Sequence, residues 1–385
     1  MQVGTVLLII GGLVVLVAGG EVLVRGAGGL AHAMGMSSLV VGLTVVAFAT
    51  SAPELAVTVD AVLAGTPGLA VGNVVGSNIA NVLLVLGLAA LLLPLAVRSQ
   101  LVRADIPVMV ALSVVTLLFA LDGGFSRLDG AVLFTSLVAY LVAAVTFARR
   151  RARTQATAVA ATDDGAASGQ QAAPGDHTTK DEAEHGTARR RPLVDLGLVV
   201  LGVALLVVGA RWLVRGATDV AATFGVSDLV IGLTVVAVGT SLPEIATSVV
   251  AAVRGERDMA VGNVVGSCLF NLGAVLGLAA LLAPDGVPVA DAAVAFDIPF
   301  MVAVALALVP IAFTGFTVAR WEGALFVAYY LAYAVYVLLD AAGHDALGPY
   351  SEVMLGFVVP ITVFWLGLLV AYEIGLRRGR GKRVP

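Results

Sequence analysis

Residues 42–54 read GLTVVAFATSAPE, and residues 232–244 read GLTVVAVGTSLPE. Ten of the thirteen positions match. A second pair, LAVGNVVGSNIANVLLVLG (69–87) and MAVGNVVGSCLFNLGAVLG (259–277), matches at twelve of nineteen. Both pairs lie at one offset of 190 residues, with no gap. A bias toward Gly, Ala, Val and Leu does not keep Thr, Ser, Pro, Glu and Asn in step. The chain therefore carries an internal duplication, and the rest of it is organised around that repeat.

Composition sets the solvent. Of 385 residues, 59% are hydrophobic and 12% charged, about half the charged fraction of a soluble protein. The fold class is an all-α polytopic membrane protein. The one cysteine, Cys268, excludes an intramolecular disulfide and a zinc cluster. The N-terminus MQVGTV lacks a basic leader, so the first apolar run is expected to be a retained helix.

A spanning helix needs about 20 mostly apolar residues. Five runs precede the middle of the chain: about 4–24, 37–63, 69–95, 105–121 and 128–148. Six follow it: about 193–214, 226–253, 259–284, 291–314, 320–340 and 354–375. The predicted organisation is a first five-helix repeat (1–148), a flexible linker (149–192) and a second five-helix repeat (193–340). A further helix and a basic tail occupy 341–385. The linker opens on RRRAR (149–153), has no apolar periodicity and ends in Arg189, Arg190 and Arg191. With the linker in the cytoplasm, Arg25, Arg98, Arg103, Arg254, Arg257, Arg320 and the tail RRGRGKR (377–383) also fall inside. Only Arg127, Arg211 and Arg215 fall outside, so the basic bias predicts N-terminus out and C-terminus in, in a cell membrane. Five is odd, so the two halves enter the membrane from opposite faces. Such inverted repeats are typical of secondary transporters, whose sites lie near the midplane between the repeats.

The repeated motifs carry chemistry suited to that place. Thr50, Ser51, Pro53 and Glu54, with their mates Thr240, Ser241, Pro243 and Glu244, lie inside apolar runs. A carboxylate there costs at least about 2.5 kcal/mol, so it must face the protein interior and have a partner. Thr50 and Glu54 share a helix face, as do Thr240 and Glu244. Proline removes a donor and breaks the helix, freeing carbonyls near Ala47–Thr50 and Ala237–Thr240. Carboxylate, hydroxyl and carbonyl oxygens together suit calcium and sodium, not soft metals. The second motif supplies Asn73, Ser77 and Asn81, then Asn263, Ser267 and Asn271. Gly72/Gly76 and Gly262/Gly266 are small-xxx-small pairs that let helices approach closely. Two acids supply two negative charges, enough to neutralise one divalent cation.

Other polar residues read as structural. Asp105 and Asp297, each followed by Ile-Pro, are expected to be helix N-caps. Glu21 has Arg211 as its mate and so is no shared ligand. His32, His177, His185 and His344 fall outside the motifs, and Cys268, which replaces Asn78, reads as a small packing residue.

On these residues the chain resembles the cation/calcium exchanger superfamily, in particular a prokaryotic member of its sodium/calcium exchanger branch. That branch carries G-T-S-x-P-E and G-N-x-x-G-S-N-x-x-[ND] in inverted repeats, matched here by 49–54, 239–244, Gly72–Asn81 and Gly262–Asn271. The resemblance implies a ten-helix core with one appended helix. It implies a central site in which Glu54 and Glu244 ligate calcium and also sodium, completed by Asn81 and Asn271. Thr50, Ser51, Ser77, Thr240, Ser241 and Ser267 would line flanking sodium sites, helped by the carbonyls of Ala47 and Ala237. The chain departs from the pattern at Ala49, where the motif has Gly, and in having two neutral amides at 81 and 271.

The expected function is calcium/sodium antiport by alternating access. The transported ions are the partners, with membrane lipid around them. No cofactor, nucleic acid or obligate protein partner is expected, and no enzyme, since HExxH, GxGD and Ser/His pairs are absent from the spans. A glutamate can also carry a proton, which makes a calcium/proton or other cation/proton antiporter the alternative. A channel on the same residues would need no counter-ion.

Overall fold

The computed structural model describes residues 3–166, 192–223 and 237–381. The expected linker from 167, the first part of the expected seventh span (226–236), His177 and His185 lie outside the described residues.

The first repeat begins with α1 (Val3–Met34). A bent pair follows, α2 (Ser38–Thr50) and α3 (Ala52–Leu63), meeting at 43°. Then come α4 (Pro67–Leu92), α5 (Leu101–Ala120) and α6 (Arg127–Ala166). The second repeat has α7 (Pro192–Thr223), α8 (Ala237–Thr240), α9 (Leu242–Val253), α10 (Arg257–Leu282), α11 (Ala293–Phe313) and α12 (Arg320–Ala341). The appended helix α13 covers Leu347–Gly375. Among the described residues nine helices are long and apolar enough to span a membrane, and the bent pair makes a tenth. α3 and α9 share bounds at the 190-residue offset, as do α4 and α10.

Short strands fix the threading. β1 (Leu95–Ala96) pairs with β4 (Thr317–Val318), and β2 (Gly124–Phe125) pairs with β3 (Val287–Pro288). One span, α5, separates β1 from β2, and one span, α11, separates β3 from β4. A hydrogen-bonded pair must lie on one face of the membrane. The loop before α5 therefore meets the loop after α11, not the equivalent loop before it. Equivalent loops sit on opposite faces, and the repeats are inverted.

Buried share identifies the hub. In α4 and α10, 83% and 89% of the apolar window is inside the protein, against 6% for α12 and α13. Apart from the motif asparagines and serines and the charged start of α10, both hub helices are small or apolar, as mostly buried helices must be. A Cβ on Gly266 would stand 2.7 Å from the Leu43 carbonyl oxygen, and one on Gly262 2.8 Å from that of Leu39, so α10 lies directly on the α2 backbone. The mates Gly72 and Gly76 meet nothing within 4 Å. Residues 229 and 233, the counterparts of Leu39 and Leu43 at the repeat offset, lie outside the described residues. Asn78 and Cys268 are mates, and the Cys268 sulfur approaches the Asn78 carbonyl at 3.9 Å, which puts both near the pseudo-twofold axis.

Two expectations are corrected. Asp105 and Asp297 are not N-caps: both have helical backbone and make no capping bond. Each closes a π-helical turn, Leu101–Asp105 or Ala293–Asp297, that continues into the helix. Asp105 instead accepts the Tyr140 hydroxyl at 2.9 Å, and Asp297 the Tyr333 hydroxyl at 3.1 Å, so each carboxylate ties its helix to the next one. The sixth helix also runs past 149 to Ala166, because its alanine and arginine residues favour helix even without an apolar face.

Candidate functional site

The site grows from two helix breaks and two widened turns. Ser51 (φ −83°, ψ 2°) separates α2 from α3, and Ser241 (φ −88°, ψ 3°) separates α8 from α9. In each case the proline sits in the first turn of the following helix, where its missing donor costs nothing and its ring would clash with any continuation backwards. Glu54 and Glu244 fall in the same first turn, where carboxylates are favoured by the helix dipole. Within α4 and α10, π-helical turns start at Asn81 and at Asn271, a distortion common at functional sites. α3 packs against the turn carrying Asn271, and α9 against the turn carrying Asn81.

Glu54, Glu244, Thr50, Ser51, Ser77, Asn81, Ser241, Ser267, Asn271 and Ala47 are all buried, and Thr240 is half-buried. Ala237 opens α8. The two carboxylates, 190 residues apart in sequence, lie within electrostatic reach of each other. Thr50 joins the repeats directly: its Oγ1 lies 3.3 Å from Ser267 Oγ and donates to Asn263 Oδ1 at 3.2 Å. The Ala47 carbonyl is less free than the proline suggested. It accepts the Ser51 N–H at 3.0 Å and the Thr50 hydroxyl at 3.4 Å. In the second break the Ser241 N–H goes to Val238 instead, at 3.1 Å.

Buried polar groups ordinarily have partners. Among the described residues twelve buried side-chain oxygen and nitrogen atoms have none within the protein, and nine of them are here. They are Ser51 Oγ, Glu54 Oε2, Asn81 Oδ1, Ser241 Oγ, both Glu244 oxygens, Thr247 Oγ1 and both amide atoms of Asn271. Eight are oxygens, two from each repeat's motif helices at the least. A set of buried hard oxygens that includes two acids is what a desolvated alkali or alkaline-earth cation requires.

Three neighbours were not among the expected ligands. Asn73 donates to the Glu54 carbonyl at 3.2 Å and to Thr58 at 2.9 Å, and Asn263 donates to Ser248 at 3.0 Å. Both asparagines stand in the repeated GN dipeptide, which was the available signal. Thr247 lies one turn after Glu244, and its mate is Val57, so no repeat symmetry pointed to it. Glu21 pairs with Arg25 at 2.7 Å and with Arg254.

The model of the sodium/calcium exchanger protein family matches residues 4–146 and 194–339, both repeats and neither the linker nor α13. This chain belongs to that family. The exchanger is 34% identical over 352 residues to the sodium/calcium exchanger MaX1 of Methanosarcina acetivorans, covering 86% of this chain and 97% of MaX1. It is 38% identical over 286 residues to the inner membrane protein YrbG of Escherichia coli strain K12, covering 74% of this chain and 81% of YrbG. The solved sodium-calcium exchanger NCX_Mj, soaked with sodium and calcium, superposes with a TM-score of 0.68 at 30% identity, over 86% of this exchanger and 97% of that chain. The family consists of cation antiporters that move ions across membranes without a cofactor, not of enzymes.

Proposed function

We propose that this exchanger moves calcium against sodium by alternating access, with Glu54 and Glu244 as ligands shared by both ions. The observation that carries the reading is the set of buried oxygens without protein partners that includes those of the two acids. Charge explains the coupling. Two ionised carboxylates buried without compensation cost several kcal/mol each, so the site does not cross between faces unloaded. Calcium satisfies both acids at once, and sodium ions satisfy them singly with help from Thr50, Ser51, Ser77, Thr240, Ser241 and Ser267. Occupation by one ion displaces the other, and obligatory loading turns competition into exchange.

Asn81 and Asn271 complete the central cage as neutral oxygen donors, and the carbonyls of Ala47 and Ala237 serve the flanking sodium positions. The N-terminus faces outward, and the linker and tail face the cytoplasm. Basic residues on the linker's face support this orientation: Arg98 pairs there with Asp258 at 2.5 Å, and Arg254 with Glu21.

Purified exchanger in proteoliposomes, given sodium, potassium and proton gradients one at a time, tests the proposal. Calcium uptake should follow the outward sodium gradient alone. Uptake driven by protons without sodium would replace it with calcium/proton exchange.

A further inference from the structure

Asn263 is fully buried, lies outside the proposed ligand set and links both repeats. Its amide nitrogen donates to Ser248 Oγ at 3.0 Å. With the nitrogen on Ser248, the amide oxygen points the other way. The oxygen meets Thr50 Oγ1 at 3.2 Å. The same amide-to-hydroxyl bond recurs in the first repeat, where Asn73 donates to Thr58 at 2.9 Å. Position 248 is the mate of 58, so the arrangement was duplicated with the motif. What differs is the outer contact: Asn73 holds the Glu54 carbonyl, whereas Asn263 receives a hydroxyl.

A threonine hydroxyl has one proton and two lone pairs. It can ligate a cation only if the proton points elsewhere. Around Thr50 the Ser267 hydroxyl, at 3.3 Å, can donate as well as accept, and the Ala47 carbonyl, at 3.4 Å, is already engaged by the Ser51 N–H. The Glu244 carboxylate also lies within reach of the hydroxyl, but as a proposed cation ligand it turns its oxygens to the ion. The Asn263 oxygen is a pure acceptor, held in place from behind. We propose that Asn263 is a positioning residue that takes the Thr50 proton, so that Thr50 turns its lone pairs to sodium. This rests on the reading of Thr50 as a sodium ligand. It assigns Asn263 a part in sodium affinity and none in direct ligation.

The test is sodium displacement of radioactive calcium from purified full-length protein. Asn263→Leu, close in volume but without an acceptor, should weaken sodium about tenfold and leave calcium affinity within about threefold. Asn263→Ala is the second variant should leucine prevent folding, and the same loss is expected of it. Asn263→Asp keeps an acceptor and should bind sodium at least as well as the parent. In a Thr50→Val background, Asn263→Leu should add less than about a further twofold, because its route of action is gone. Equal weakening of sodium and calcium, wild-type sodium affinity in Asn263→Leu or Asn263→Ala, or an undiminished tenfold loss in the Thr50→Val background would overturn the assignment. Absence of any sodium displacement in the parent protein would overturn the exchange reading itself, and this one with it.

Discussion

Thr50 of the first repeat and Ser267 of the second place their hydroxyl oxygens 3.3 Å apart in the buried centre of the bundle. They stand on opposite sides of the duplication, on α2 and α10, and meet because Gly262 and Gly266 let α10 rest on the α2 backbone. Ser267→Ala removes one oxygen from this pair and leaves both carboxylates. Sodium half-saturation should rise about tenfold, equivalent to ~1.4 kcal/mol, with a smaller change for calcium. A sodium titration of calcium uptake reads the difference.

The close approach that forms the site is itself testable. A Cβ at Gly266 would lie 2.7 Å from both Ala47 Cβ and the Leu43 carbonyl oxygen, neither of which can move without shifting α2. Gly266→Val should destabilise the purified protein by about 1–3 kcal/mol or more, the range for overpacking. Gly28, whose added Cβ meets nothing within 4 Å, gives the control: Gly28→Ala should leave thermal unfolding in detergent unchanged or slightly improved.

The two Asp–Tyr ties should differ in strength. Asp105 is buried, whereas Asp297 is half-buried. Tyr140→Phe removes a donor from a buried carboxylate, leaving it Gln100, and should cost about 1–3 kcal/mol. Tyr333→Phe leaves a carboxylate with some access to its surroundings and should cost less. Thermal unfolding of the two variants side by side checks the order.

The ion pair between Glu21 and Arg254 joins α1 to the end of α9 at a partly exposed position. Such pairs contribute roughly 0–1 kcal/mol and are screened by salt. Glu21→Gln should therefore change stability little at high ionic strength and leave calcium affinity intact. A large loss of calcium affinity would mean that Glu21 takes part in the site.

Much of this was legible in the sequence because duplication exposes what packing alone would hide. Glu54 and Glu244 stand out as acids kept in register within apolar runs, and the odd number of spans per repeat already implies the inversion that the β1–β4 and β2–β3 pairs fix. Thr247 was not legible, since its mate Val57 breaks the repeat pattern. The tyrosine partners of Asp105 and Asp297 lie 35 and 36 residues downstream, where only tertiary packing brings them back. The Asp-Ile-Pro signal was real as a helix start, but a π-helical turn carries the helix back past the aspartate, so its side chain is free to bond across to the next helix. The Ala47 carbonyl is more engaged than the proline alone suggests, for a related reason. Proline at 53 cancels the N–H of residue 53, while the Ser51 N–H still reaches Ala47.

The central claim is that Glu54 and Glu244 hold one cation together, which sodium displaces. Equilibrium binding of radioactive calcium to the purified exchanger tests it most directly, in the parent, in Glu54→Gln and in Glu244→Gln. The parent should bind calcium and release it as sodium is added, and each single glutamine variant should lose calcium binding while remaining folded. Calcium binding of parental strength in either variant, or binding that sodium leaves untouched, would contradict the account.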